Sequence, residues 1–289
     1  MNQTEREYWR EEVLQFVLKA MSESEELTDA LVFKGAWVLN YHLQTTRRSR
    51  DIDTNLSSEF VFRHPETEEQ RIYLEHWIRS SVGGFFENQA IVRYQLDNVI
   101  IEHSEHPMGW NSFTVRLRIS DNAKASVLGL PSLEIDIASP EELSDISITN
   151  GALGSRLARA YSLERIAGEK ARAFLSSLPT YCKKLHKPHT NIRVKDLYDL
   201  VRIGQARPLS NVLFWTAAGH EFERACRSRF VDCFGWLSFA ERWAEAEVLF
   251  TADPTLPKDV RFDEVADLLP RIVATWEVQG VIPLLYDLP

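Results

Sequence analysis

Apolar residues recur at helical spacing over residues 4–21, where Trp9, Val13, Phe16, Val17 and Ala20 form one stripe with charges between them. The same period predicts a short helix over 36–44, entered through a turn at Gly35. Asp51 to Leu56 alternates as a strand does. Pro65 and the run ETEEQRIYLEHWIRSSV predict another helix, acidic in its first turn where the helix dipole favours negative charge. Gly83-Gly84 is expected to end it.

From about residue 90 to 138 the period becomes two. AIVRYQLDNVII, SFTVRLRIS and SLEIDIAS alternate or carry β-branched residues, separated by the turn-like HSEHPMGW and DNAKASVLGLP. After 155 the helical period returns, over 157–178, 194–204, 210–226, 230–250 and 262–277. The pattern predicts an α/β domain over residues 1–150 and an all-helical domain over 151–289. No internal repeat or low-complexity tract interrupts it.

Composition narrows the class. A chain of 289 residues with 44% apolar content suits one large soluble domain or two modest ones. No apolar run approaches the roughly 20 residues that a membrane span needs, so no membrane partner is expected. The stretch MNQTEREYWREEV is charged and lacks the apolar core of an export signal. Cys182, Cys226 and Cys233 are odd in number and unclustered, which argues against a disulfide framework and a cysteine zinc site. A cytoplasmic location follows. The net charge of -9 argues against a dedicated nonspecific nucleic-acid binder. It leaves room for an enzyme with a local basic cleft, and three clusters offer one: Arg47, Arg48 and Arg50; Lys183, Lys184 and Lys187; Arg224, Arg227 and Arg229. Each is equally a solvated face.

The chemistry concentrates in acidic pairs. Asp51 and Asp53 flank one apolar residue, so on a strand both carboxylates share a face and need a cation between them or water around them. Glu134 and Asp136 repeat the arrangement, and if their strand neighbours the first, a third carboxylate joins the pair. Three carboxylates can hold two Mg²⁺ ions for phosphoryl transfer, while a strand with one wet face gives the same spacing. On the helix predicted after Ser162, Lys170 enters an apolar stripe, either snorkelling outwards or aimed at a buried anion. Asp196 and Asp199, three apart, are neighbours on another helix. Asp196 either favours that helix's dipole or serves as a general base. His103 and His106 lie in a polar turn that is more simply solvated than metal-binding. Trp215, Trp236 and Trp243 fit a core. No P-loop, dinucleotide fingerprint, nucleophile elbow or HExxH occurs.

Four segments together resemble one family. Lys34-Gly35-Ala36 followed by Arg47-x-Ser49-x-Asp51-Ile52-Asp53 resembles the first motif of the AbiEii/AbiGii-type nucleotidyltransferases, toxins of type IV toxin–antitoxin systems. Glu169-Lys170 resembles their Glu-Lys element, and Arg193-x-Lys195-Asp196-Leu197-Tyr198-Asp199-Leu200 their Arg-x-Lys-Asp-x-x-Asp-Leu segment. Order and spacing agree over about residues 30–205. The resemblance implies an α+β fold: a polymerase-β-like nucleotidyltransferase domain with a mixed sheet, followed by an all-helical C-terminal domain that contributes Lys170 and Asp196 across a cleft. It further implies that Lys34, Gly35, Arg47 and Ser49 hold the triphosphate with Lys170, and that Asp51 and Asp53 bind Mg²⁺ with Asp136. Asp196 would activate the acceptor or hold its geometry. The chain departs from the family's Gly-Gly-Thr with Gly35-Ala36-Trp37, which puts a methyl and an indole at the phosphate turn.

The implied activity is Mg²⁺-dependent transfer of an NMP from an NTP to an acceptor, a tRNA 3′ end or a protein hydroxyl. The chain would be the toxin partnered by a cognate antitoxin. Two alternatives use the same residues: an NTP-binding module altered at Ala36-Trp37, and a two-metal phosphoesterase.

Overall fold

The computed structural model describes residues 2–44, 49–105, 108–124, 130–154, 156–188 and 191–288. They divide into two compact units, the first over 1–41, 48–141 and 149–160, the second over 42–47, 142–148 and 161–289.

The first unit is built on a seven-stranded mixed sheet. Its elements in chain order are α1 (Gln3–Glu23), α2 (Glu25–Ala30), β1 (Leu31–Phe33), α3 (Gly35–Leu43), β2 (Asp51–Leu56), α4 (Ser58–Arg63), α5 (Thr67–Glu87), β3 (Tyr94–Ser104), β4 (Ser112–Asp121), β5 (Leu133–Ala138), β6 (Ile148–Gly151) and β7 (Ala158–Tyr161). The strands lie in the order β3-β4-β5-β2-β1-β7-β6. β2 pairs parallel with β5 and β1 with β7, whereas β1–β2, β3–β4 and β4–β5 are antiparallel. Phe113, Val115, Leu117, Leu133, Ile135 and Ile137 are all buried, each at an alternate position of its strand.

α1 begins at a capping box, Asn2 accepting from Glu5 N–H and Glu5 from Asn2 N–H. α5 packs on β3 through a stripe at every fourth position, Gln70, Leu74, Ile78, Val82 and Phe86. That stripe corrects the expected helix end at Gly83-Gly84. Val82 and Phe86 flank the glycines on the buried side, and their burial outweighs the roughly 1 kcal/mol that each helical glycine costs.

The second unit holds a 3₁₀ turn (Asp145–Ser147) and helices α6 (Leu163–Ser176), α7 (Pro179–Lys184), α8 (Val194–Ala206), α9 (Val212–Arg229), α10 (Trp236–Phe239), α11 (Trp243–Ala252) and α12 (Phe262–Val278). Ser162 caps α6, its hydroxyl accepting from Arg165 N–H at 3.1 Å. α6 lies hard against α9 because Gly168 has no Cβ; one placed there would stand 2.4 Å from Phe222 N. Arg165 and Glu221 join the same two helices as a fully buried pair at 3.3 Å, and Ser147 Oγ donates to Glu221 at 2.7 Å. Trp215 is fully buried against Phe214 and Trp276.

Two predicted helices need correction. The one expected over 157–178 starts only at Leu163, because Ala158–Tyr161 is drawn into the sheet, with Ala160 opposite Phe33. The one expected over 230–250 is broken by left-handed backbone at Phe230, Gly235 and Arg242, and Cys233 pairs instead with Leu284. The three cysteines are buried and form no disulfide among the described residues. Among the described residues no helix is long and apolar enough to cross a membrane.

Candidate metal centre

The register of β2 on β5 sets Asp51 against Glu134 and Asp53 against Asp136. Ile52, Thr54, Ile135 and Ile137 take the covered face, and strand alternation puts the four acidic residues on the other. Asp51, Asp53 and Asp136 each offer an oxygen within 4.8 Å of the others. Glu134 stands outside this group, since Arg116 pairs with it at 3.2 Å and also with Glu102.

Three carboxylates so close repel one another. Desolvation against the sheet, then the Asp51 charge, raise the Asp136 carboxyl above the usual range, although its outer side reaches solvent. The Thr114 hydroxyl, donating to Asp136 Oδ1 at 3.2 Å, and the Lys34 charge act in the opposite direction. A set of hard oxygen donors with surplus negative charge fits a divalent cation of the Mg²⁺, Mn²⁺ or Ca²⁺ kind.

The turn between β1 and α3 is built around these carboxylates. Gly35 has φ +72°, and a Cβ there would lie 2.0 Å from Asp53 Oδ2, so only glycine lets the chain pass. Lys34 N–H donates to the Asp53 carbonyl at 3.0 Å. The Trp37 indole N–H donates to the Asp51 carbonyl at 2.9 Å, and Ser49 Oγ donates to Asp51 Oδ1 at 2.9 Å. Thus Lys34, Gly35 and Ser49 stand beside the aspartates. Arg47 and His106 lie outside the described residues. His103 is on β3, its ring against Phe113.

Lys170 and Asp196 meet in the second unit. Lys170 does not snorkel: at 9% exposure its Nζ lies 2.9 Å from Asp196 Oδ1 and 2.8 Å from Asp199 Oδ2. Arg193 Nε reaches Asp196 Oδ2 at 2.5 Å. Burial alone would raise the Asp196 carboxyl, but the Lys170 and Arg193 charges and hydrogen bonds outweigh it and hold the group far below the usual range. A carboxylate held ionised by two cations is a poor proton acceptor near neutrality. The pairing ties α8 to α6 within the second unit.

Two residues at the centre escape the sequence. Thr114 alternates onto the polar face of β4, yet its value appears only when β4 is known to lie beside β5. The Trp37 hydrogen bond depends on the Gly35 turn lying against the start of β2, which no periodicity reveals.

The family described as "Nucleotidyl transferase AbiEii toxin, Type IV TA system" matches residues 17–275. No curated protein matches the sequence. Among solved structures, the crystal structure of JHP933 from Helicobacter pylori is similar with a TM-score of 0.51, over 96% of this chain and 94% of that chain. At 13% identity that likeness speaks for the fold alone.

Proposed function

The chain belongs to the AbiEii nucleotidyl transferase toxin family, and from that premise we propose that it transfers an NMP from an NTP to an acceptor with Mg²⁺ held at Asp51, Asp53 and Asp136. The observation that carries this is the three-carboxylate cluster set by the β2–β5 register. A bound Mg²⁺ would draw charge from the phosphate oxygens. Gly35 gives the phosphates close access to backbone, and the Lys34 charge offsets the negative charge that arrives with them. Arg47 and Ser49 complete the nucleotide-binding set that the family motifs suggest. The acceptor hydroxyl oxygen bonds to the α-phosphorus and gives its proton to water, as the bond to the bridging oxygen breaks and pyrophosphate leaves with the electron pair. Lys170 and Asp196 serve turnover by fixing α6 to α8. The acceptor is a tRNA 3′ end or a protein hydroxyl, and a cognate antitoxin restrains the activity.

The test is incubation with each α-labelled NTP, Mg²⁺, and total RNA or cell protein. Label should move to one acceptor pool with pyrophosphate released, and Asp53→Ala should abolish it. Folded protein that moves no label with any NTP sinks the proposal, and release of monophosphate or RNA fragments would assign a phosphoesterase instead. Expression should also slow growth of a suitable host, with Asp53→Ala relieving it.

A further inference from the structure

In an antiparallel ladder, alternate residues of one strand direct their carbonyls at the partner strand. β1 and β2 pair Val32 with Asn55 and Phe33 with Thr54, and Lys34 N–H continues the ladder to the Asp53 carbonyl at 3.0 Å. One step further, the register would bring the Ala36 amide to the Asp51 carbonyl. That step cannot occur, because the backbone turns at Gly35, with φ +72°, and enters α3. The carbonyl of Asp51 would then have no ladder donor on this side. The Trp37 indole N–H occupies that place at 2.9 Å.

We infer that Trp37 is a positioning residue for the metal centre, its indole replacing the missing ladder amide and fixing the Asp51 end of β2. The Lys34–Trp37 turn thereby holds the backbone of both aspartates, Asp53 through an amide and Asp51 through a side chain. Ser49 fixes the Asp51 carboxylate from the other direction, at 2.9 Å. A threonine hydroxyl, at the end of a side chain with a single χ angle, is too short to take the indole's part across the turn. The indole in Gly35-Ala36-Trp37 therefore supports the site rather than signalling its loss.

The role assigned to Trp37 rests on the triad being a metal site, and one set of titrations separates the two claims. Mn²⁺ binding is followed by calorimetry and by electron paramagnetic resonance on wild type, Trp37→Phe and Asp53→Ala, with thermal unfolding in EDTA alongside. Trp37→Phe keeps a ring and removes the donor. Its Mn²⁺ Kd should rise on the order of tenfold, the scale of one lost hydrogen bond, with a small change in the EDTA Tm. A merely structural tryptophan would lower Tm and leave the Kd of the folded protein where it was. Wild type that binds no Mn²⁺ refutes the metal site itself. Wild type and Trp37→Phe binding within twofold of each other, with Asp53→Ala silent, refutes Trp37 alone. If Trp37→Phe does not fold, benzothienylalanine at position 37 changes only the N–H to sulfur and decides the same question.

Discussion

The two acidic clusters of this chain use the same side chains in opposite electrostatic states. On the sheet, Asp51, Asp53 and Asp136 crowd together, and burial with the Asp51 charge pushes the Asp136 carboxyl up against the opposing Lys34 charge. In the helical unit, Asp196 and Asp199 share Lys170, Arg193 adds a second cation, and the Asp196 carboxyl is pushed down. In the helical cluster two cations hold the Asp196 carboxylate ionised, whereas in the sheet cluster burial and the Asp51 charge outweigh Lys34 at Asp136. A functional assignment made from residue type alone treats all these aspartates alike. Their surroundings divide them into a ligand set and a clamp.

The sharpest way to break the comparison is to remove the built-in cation. Lys170→Met leaves two buried carboxylates without the cation they share, and should cost about 3–5 kcal/mol of stability. Chemical denaturation of the purified variant measures it. A loss below 1 kcal/mol, on the order expected of a surface ion pair, would mean that the pair is not the clamp described. Asp196→Asn in the Lys170→Met background should recover part of the loss, because it removes one of the two repelling charges.

The sequence carries the strands and acidic pairs behind this contrast, but unevenly. The alternation of SLEIDIAS put Glu134 and Asp136 on one face, and β3, β4 and β5 announced themselves by their period. β1 and β7 did not, since three or four residues are too few to show a period, and β7 was absorbed into the following helix. The β2–β5 pairing that assembles the triad joins distant segments, and neither strand's pattern encodes it. Lys170 was ambiguous for a related reason: its stripe was visible, but not that α8 would lie opposite with two carboxylates. Thr114 and Trp37 depend wholly on neighbours that the fold supplies.

Acid should expose the clamp next. The Asp196 carboxyl is depressed in the folded state, below the ordinary value of 3.8, so the folded protein binds this proton less readily than the unfolded chain. Its stabilising contribution is therefore full above about pH 4 and is lost as pH falls through the folded-state value. Wild type should lose stability faster than Asp196→Asn as pH drops from 5 towards 2, and the two unfolding curves should converge. Parallel curves would show that Asp196 carries no linked proton.

Gly35→Ala tests how tightly the turn wraps the ligand set. The substitution adds a methyl at φ +72°, where it meets Asp53 Oδ2, so either the turn or the carboxylate must move. The strain is about 1–3 kcal/mol. Mn²⁺ affinity should fall with it, because relief comes most cheaply by rotating Asp53 out of the cluster. Calorimetry showing unchanged Mn²⁺ affinity would place the Asp53 carboxylate outside the ligand set.

The smallest expected effect is the most discriminating. Asp136 repels its neighbours in the metal-free protein, and removing its charge should raise stability there. Because the group reaches solvent, the gain is limited to about 0.5 kcal/mol. The sign is what matters: Asp136→Asn should unfold at a slightly higher temperature than wild type in EDTA. Added Mn²⁺ should reverse the order, since a ligand stabilises the folded state by RT ln(1 + [L]/Kd) and the variant has lost one carboxylate ligand. Two melting curves that exchange places on adding metal are expected of a cluster built for a cation and not of a wet strand face. If Asp136→Asn is the less stable protein under both conditions, Asp136 acts through its hydrogen bond with Thr114 and not as a ligand.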